Sequence, residues 1–185
     1  MSTPDTVRLA MPAEAVDVAR LQRRSWAANP ALASVLAQVN ADETALAWHE
    51  AISKPPMAHY RVLVAQGKGQ IVGFTVTGPN DDPDAETTDG LIAEFVVDDN
   101  SDEVGHDARL INAAVDTLRA DGYETASMWI PSDADELRTF LIECGWAADG
   151  AHREVGADEE SSLDPEAIEA LKLIRLRTDI REAQG

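Results

Sequence analysis

A mixed α/β fold, with one twisted and mostly antiparallel sheet of about seven strands and helices on both faces, is the architecture this sequence predicts. Three observations predict it. Short apolar runs of strand length alternate with longer stretches at helical spacing. Tyr60–Ala65 and Gln70–Thr77 flank the glycine-rich turn Gln66-Gly67-Lys68-Gly69, a hairpin signature. Between Asp89 and Gly122 a strand (Leu91–Val97) passes through a polar turn holding Gly105 into an amphipathic helix. Such a turn aims unpaired backbone N–H groups at whatever lies above it, which makes it an anion site in waiting.

Taken in order, Thr6–Ala10 alternates as a first strand, and Pro12-Ala13-Glu14 opens a helix striped by Ala15, Val18, Leu21 and Trp26. Arg20, Arg23 and Arg24 cover its outer face, and Asn29-Pro30 stops it. Two further helical stripes follow, Leu32/Val35/Leu36/Val39 and, after the cap-like Asp42, Leu46/Trp48/Ile52, ending at Pro55-Pro56. After the hairpin, residues 80–89 have no periodicity and read as a solvated loop. Leu110, Ile111, Ala114, Val115 and Leu118 stripe the next helix, which Gly122 caps. Glu124–Ile130 is a strand, and Ser132 and Asp133 are cap residues for a helix whose inward face is Leu137, Phe140, Leu141 and Cys144. His152–Val155, a helical turn over Pro165–Ala170 and a last strand over Leu171–Ile180 complete the order β-α-α-β-β-β-α-β-α-β-β.

The 185 residues are expected to form a single domain (1–185) with a proper core, since 44% are apolar. Net charge is −19 with three lysines, which disfavours nucleic acid or an anionic membrane as a partner, because phosphate binding needs clustered cations. One cysteine, Cys144, excludes an internal disulfide. With no apolar leader and no run of membrane-spanning length, the expected location is the cytoplasm. His49, His59 and His152 are scattered without ligand spacing, so no metal is inferred.

The landmarks VRLAMPAEAVDVARL, VLVAQGKGQIVGF, EFVVDD…VGHDARLINAAVDTLRADG and SDADELRTFLIECGW stand in an order that resembles the GNAT superfamily of acyl-CoA-dependent N-acetyltransferases. The resemblance spans residues 6 to about 180. It implies acetyl-CoA as cosubstrate, an amine of a small molecule or peptide as acceptor, and a sheet that splays beside Leu91–Val97 so that pantetheine lies in the gap as an added strand. It implies contacts from Phe95, Val96 and Val97 to the pantetheine. The pyrophosphate would sit on the turn and helix start, at Val104, Gly105, His106, Asp107, Ala108 and Arg109. A homodimer through sheet edges or the last strands and the acidic insert (Ala157–Asp164) is a further expectation.

This sequence departs from that pattern. In the Gln/Arg-x-x-Gly-x-Gly/Ala turn only Gly105 survives; Asp102 replaces the basic or amide residue and Asp107 the last small one. A carboxylate near a phosphate in a solvated setting costs on the order of 1 kcal/mol, so three would weaken CoA binding roughly 10–100-fold. Asp102, Glu103 and Asp107 are either solvated cap residues or occupants of the anion site itself. The alternative reading is therefore an impaired GNAT-fold binding or regulatory module.

Glu94, a carboxylate in the apolar run IAEFVV, is the candidate water-mediated general base, with a raised pKa if it faces the cleft; a glutamate on a wet sheet face or paired with an arginine is the plain alternative. The resemblance places a general-acid tyrosine where this chain has Leu141, leaving that role vacant or filled from elsewhere. Tyr60 is read as an edge or core residue and Tyr123 as packing, His106 as an exposed loop residue and Cys144 as a buried small hydrophobe. Trp26, Trp48, Trp129 and Trp146 are read as core or cleft wall.

Overall fold

The computed structural model describes residues 6–100, 105–156 and 163–183. The strands are β1 (Thr6–Leu9), β2 (Arg61–Gly67), β3 (Gln70–Pro79), β4 (Asp89–Val97), β5 (Thr125–Pro131), β6 (Ala147–Val155) and β7 (Leu171–Asp179). The helices are α1 (Ala15–Ala27), α2 (Pro30–Leu36), α3 (Ala41–Ser53), α4 (His106–Ala120) and α5 (Asp135–Glu143), with 3-10 turns at Pro12–Glu14 and Pro165–Ala167. One sheet of order β1-β2-β3-β4-β5-β7-β6 contains all the strands. Among the described residues only β4 and β5 pair in parallel, as a crossover through α4 requires, and the other pairs are antiparallel.

Local chemistry explains the boundaries. The hairpin turn is the two residues Lys68-Gly69, both at positive φ (49° and 80°), the geometry that matches strand twist. Asn29 caps α2, its side chain accepting from the Ala31 and Leu32 N–H groups, with Pro30 as first helical residue. The proline that stops α1 therefore also starts α2. The cap of α3 is Asn40 rather than Asp42, since Asn40 accepts from the Asp42 and Glu43 N–H groups and so puts Asp42 inside the first turn. Neither Ser132 nor Asp133 caps α5; its first flanking residue is Ala134, with no side-chain bond.

Two clusters form most of the core. On one face α1 and α3 bring Val18, Leu21 and Trp48 onto Val62, Val64, Phe74 and Val76. On the other, α4 and α5 bring Ile111, Leu118 and Leu141 onto Ile92, Met128 and Ile130. Two inward assignments from periodicity fail: Leu46 is 68% exposed, the α3 stripe running through Ala45, Trp48 and Ile52 instead, and Cys144 is exposed just beyond the end of α5. The loop over residues 80–89 is only partly solvated, because Asp82 and Asp89 are buried against the sheet. Strand β6 begins five residues earlier than the His152 start that alternation suggested, with an irregular register between Ala148 and His152.

Gly73, in the Val-Gly-Phe run of β3, has a steric reason to be glycine. A Cβ there would lie 2.9 Å from the Val96 carbonyl oxygen of β4, a backbone atom held in the sheet. Gly73→Ala is expected to cost about 1–3 kcal/mol as overpacking, read as a fall of several degrees in Tm. An unchanged Tm would show that β4 yields at this point.

Candidate active site

The site begins with one extra residue. Val76 faces Glu94 and Thr77 faces Ile92, which leaves Ala93 as a bulge in β4. A bulge reverses the side-chain alternation beyond it. Ile92 accordingly packs with the α4/α5 cluster, whereas Glu94, two positions on, turns to α1. The Glu94 carbonyl accepts from Thr75 Oγ1 at 2.7 Å.

The bulge also bends β4 away from its parallel neighbour. Pairing of β4 with β5 runs from Asp89↔Thr125 to Ile92↔Met128 and stops. Past that point the strands diverge around a cleft of about 890 Å³, walled by residues 92–99 of β4 and its exit and by Met128–Pro131 of β5. Phe140 of α5, stacked on Phe95, closes one side; Trp26 and Leu32 stand on the other. Asp98 donates its N–H to the Val72 carbonyl (2.7 Å), so the even-numbered residues of this part of β4 bond across to β3. Alternation then turns the backbone groups of Phe95 and Val97 toward the cleft.

Glu94 lines this cleft and is half-buried. Its Oε1 accepts from Gln22 Nε2 (3.1 Å), and Gln22 Oε1 in turn accepts from Trp48 Nε1 (3.0 Å). Burial pushes the Glu94 carboxyl up to about 7, against a smaller downward pull from the Gln22 hydrogen bond. Tyr60 is raised as well, first by its own burial and then by Glu94, which places the phenol within electrostatic reach of the carboxyl.

At the far end of β4, Asp98 receives both oxygens' worth of contact from Arg24 Nη1 (2.9 Å each). Burial alone would raise Asp98, yet hydrogen bonds from the Asn100 N–H and Arg24 hold it below the ordinary carboxylate value. The turn before α4 contains Gly105 in the left-handed region (φ 96°), while Asp102, Glu103 and Val104 lie outside the described residues. His106 is not an exposed loop residue: it is 2% exposed at the first position of α4, bonded through Nδ1 to Arg109. Asp107 Oδ1 accepts from the Ala108 N–H at 2.8 Å, so one of the helix's own carboxylates takes a donor of the N-terminal turn. Asp107 also lines the cleft, together with Asp98, Asp99, Asp133, Asp135 and Glu136, against Arg24 and Arg153.

Leu141 is fully buried in the core, and no tyrosine is among the described residues of the cleft wall. Of the four tryptophans, Trp48 and Trp146 are core, and Trp26 and Trp129 are cleft wall. No group of three metal-ligating side chains is found among the described residues, and no described helix is long and apolar enough to cross a membrane.

Behind the Trp129 wall lies a charged cluster that no motif of the sequence marks. Arg175, 6% exposed on β7, is bonded to Asp84 (2.8 Å twice), Asp82 (3.1 Å) and Asp149 (2.7 Å). Trp129 Nε1 donates to both oxygens of Asp82 (3.0 Å), and the Arg153 guanidinium lies 4.3 Å above the Trp129 ring. The available signal was an acidic run, NDDPDAETTD, together with arginines at alternate positions of an otherwise apolar strand, LKLIRLRTD.

The backbone as a whole superposes on solved acetyltransferases. An N-acetyltransferase of Staphylococcus aureus Mu50 superposes with a TM-score of 0.73 at 16% identity, covering 97% of this chain and 100% of its own. A Salmonella typhimurium protein assigned as an acetyltransferase, bound to acetyl-CoA, gives 0.70 at 18% identity, covering 99% and 98%. An acetyltransferase of the GNAT family from Streptococcus pneumoniae gives 0.62 at 15% identity, covering 96% and 100%. The chain has the GNAT fold. No family model and no curated protein matches the sequence, so the GNAT likeness is one of backbone architecture.

Proposed function

We propose that the protein transfers an acyl group, in the simplest case acetyl, from a CoA thioester to an amine of a small molecule or peptide. The observation that carries this reading is Glu94: a half-buried carboxyl raised to about 7, at the point where β4 leaves β5. A base poised near neutrality is what deprotonation of an alkylammonium requires. Glu94 takes the proton, through a water, from the acceptor, whose free amine attacks the thioester carbonyl. Backbone N–H groups of Phe95 and Val97 are the candidate donors to the developing oxyanion. The carbon–sulfur bond breaks, and the second proton of the attacking nitrogen, now cationic, passes through water to the departing thiolate, since Leu141 has none to give.

The strand edge at Phe95 and Val97 suits an extended acyl-pantetheine arm, which would hydrogen-bond as an added strand. The turn suits the nucleotide end less well, because Asp107 already occupies the Ala108 N–H. That bond favours a second reading, a GNAT-fold module that has lost CoA binding. Thermal titration with acetyl-CoA separates the two. A ligand at 100 times its Kd stabilises by about 2.7 kcal/mol, a shift of several degrees in Tm. Asp107→Gly frees the N–H and removes a like charge, and is expected to tighten binding about 5–10-fold. A parent that binds supports acyl transfer. Binding by Asp107→Gly alone supports the second reading, and no binding by either at millimolar ligand overturns the first.

A further inference from the structure

We propose that Gln22, locked by Trp48, is a positioning residue that tells the two oxygens of Glu94 apart, holding Oε1 and leaving Oε2 to receive the proton. The inference rests on the acyl-transfer reading for its use, though not for its geometry. An indole N–H can only donate, so the Gln22 oxygen must face Trp48 and its NH₂ must face Glu94. The flipped amide would set NH₂ against N–H and C=O against carboxylate, two repulsions inside a buried site. The frame is rigid: Trp48 is buried and meets the fully buried Phe74 edge-on at 5.3 Å, and Gln22 is buried on α1.

Three elements thus converge on one carboxyl, α3 through Trp48, α1 through Gln22 and β4 through Glu94 itself. Oε1 is engaged by Gln22, and Oε2 has no hydrogen-bond partner among the described residues. A proton arriving at Glu94 therefore resides on Oε2, the oxygen free to address the cleft. The two arginines of the cleft are engaged elsewhere, and its other carboxylates, Asp99, Asp107, Asp133, Asp135 and Glu136, line the same space. Arg24, one turn or less from Gln22 on α1, is paired with Asp98 at the exit of β4. Arg153 across the cleft is stacked on Trp129. Tyr60, before β2, is the titratable neighbour that senses Glu94, and β3 faces it with Val76.

A merely structural Gln22 would leave the titration of Glu94 where it is, which gives the test. The Glu94 carboxyl is followed by NMR of protein labelled at glutamate Cδ, assigned by difference with Glu94→Gln, in the parent, in Gln22→Met and in Trp48→Phe. Gln22→Met keeps the volume and removes the donor, and the Glu94 midpoint is expected to rise by about 1 pH unit. Trp48→Phe keeps the ring on Phe74, frees the amide to rotate, and is expected to give a smaller rise. The ascending limb of kcat/KM for acetyl transfer should move with the midpoint, with the KM for acetyl-CoA unchanged within about twofold. Should Gln22→Met fail to fold, Trp48→Phe carries the test. Midpoints and pH limbs that stay with the parent in folded variants overturn the positioning role. A midpoint that moves in a protein showing no acyl transfer upholds the positioning of Glu94 and overturns the proposed reaction instead.

Discussion

Glu94→Gln is expected to make the protein more stable at pH 8 while lowering the proposed acyl transfer by about 10²–10⁴-fold. Both effects come from the same burial. In the folded protein the Glu94 carboxyl is raised from its ordinary 4.5 to about 7. As pH rises from 4.5 to 7, the unfolded chain releases this proton and the folded one keeps it. Folding therefore loses stability across that window and levels off above it. The difference corresponds to roughly 3 kcal/mol above pH 7. Glutamine offers an amide oxygen to Gln22 Nε2 in place of the carboxyl oxygen and never ionises, so it removes the slope. In a chain of this size the gain is several degrees in Tm at pH 8, vanishing near pH 4. Melting curves of both proteins from pH 4 to pH 9 measure it. Parallel curves would mean that Glu94 is solvated and ordinary; undiminished transfer would remove it as the base. Under the proposed function, Glu94 would then be a residue that destabilises the fold in exchange for activity.

The frame around Glu94 was legible because it follows from periodicities. Leu110, Ile111, Ala114 and Leu118 repeat at the helical period and are all buried. The hairpin is announced by Gly67-Lys68-Gly69, and the order of elements follows from both. What decides the site is a one-residue offset. Nothing in IAEFVV marks Ala93 as extra, yet without the bulge Glu94 would share a face with Ile92, inside the α4/α5 core. Gln22 was invisible for another reason. Between Leu21 and Arg23 it reads as a surface residue, and only its partners, 26 and 72 residues away, make it a buried one. The acidic turn is the reverse case. Its charge was plain in the sequence, and the structure adds that Asp107 spends its carboxylate on its own helix.

Arg175→Met is the substitution expected to cost most stability, about 3–5 kcal/mol, because it strands a buried charge. Asp82 is buried against the sheet with Arg175 at 3.1 Å, and its other cation, Arg153, stands at 3.7 Å and is half exposed. Methionine fills the space of the arginine stem but leaves Asp82 with little compensation, and releases Asp149 as well. Asp84 is a lesser loss: its carboxyl is held at about 2 by Arg175, but it is exposed, so water takes over the charge. The cause can be isolated by adding Asp82→Asn. An asparagine oxygen still accepts from Trp129 Nε1, so the cleft wall keeps its tryptophan while the stranded charge disappears. The double variant is expected to recover about half of the loss or more, read as the urea midpoint at unchanged m. A single variant within 1 kcal/mol of the parent would show that Arg175 is compensated by solvent. A double variant no better than the single would place the cost in lost packing across β7 rather than in Asp82. The same pair bears on the site, since Arg175 fixes Asp82, Asp82 fixes Trp129, and Trp129 faces Glu94's cleft from the opposite strand.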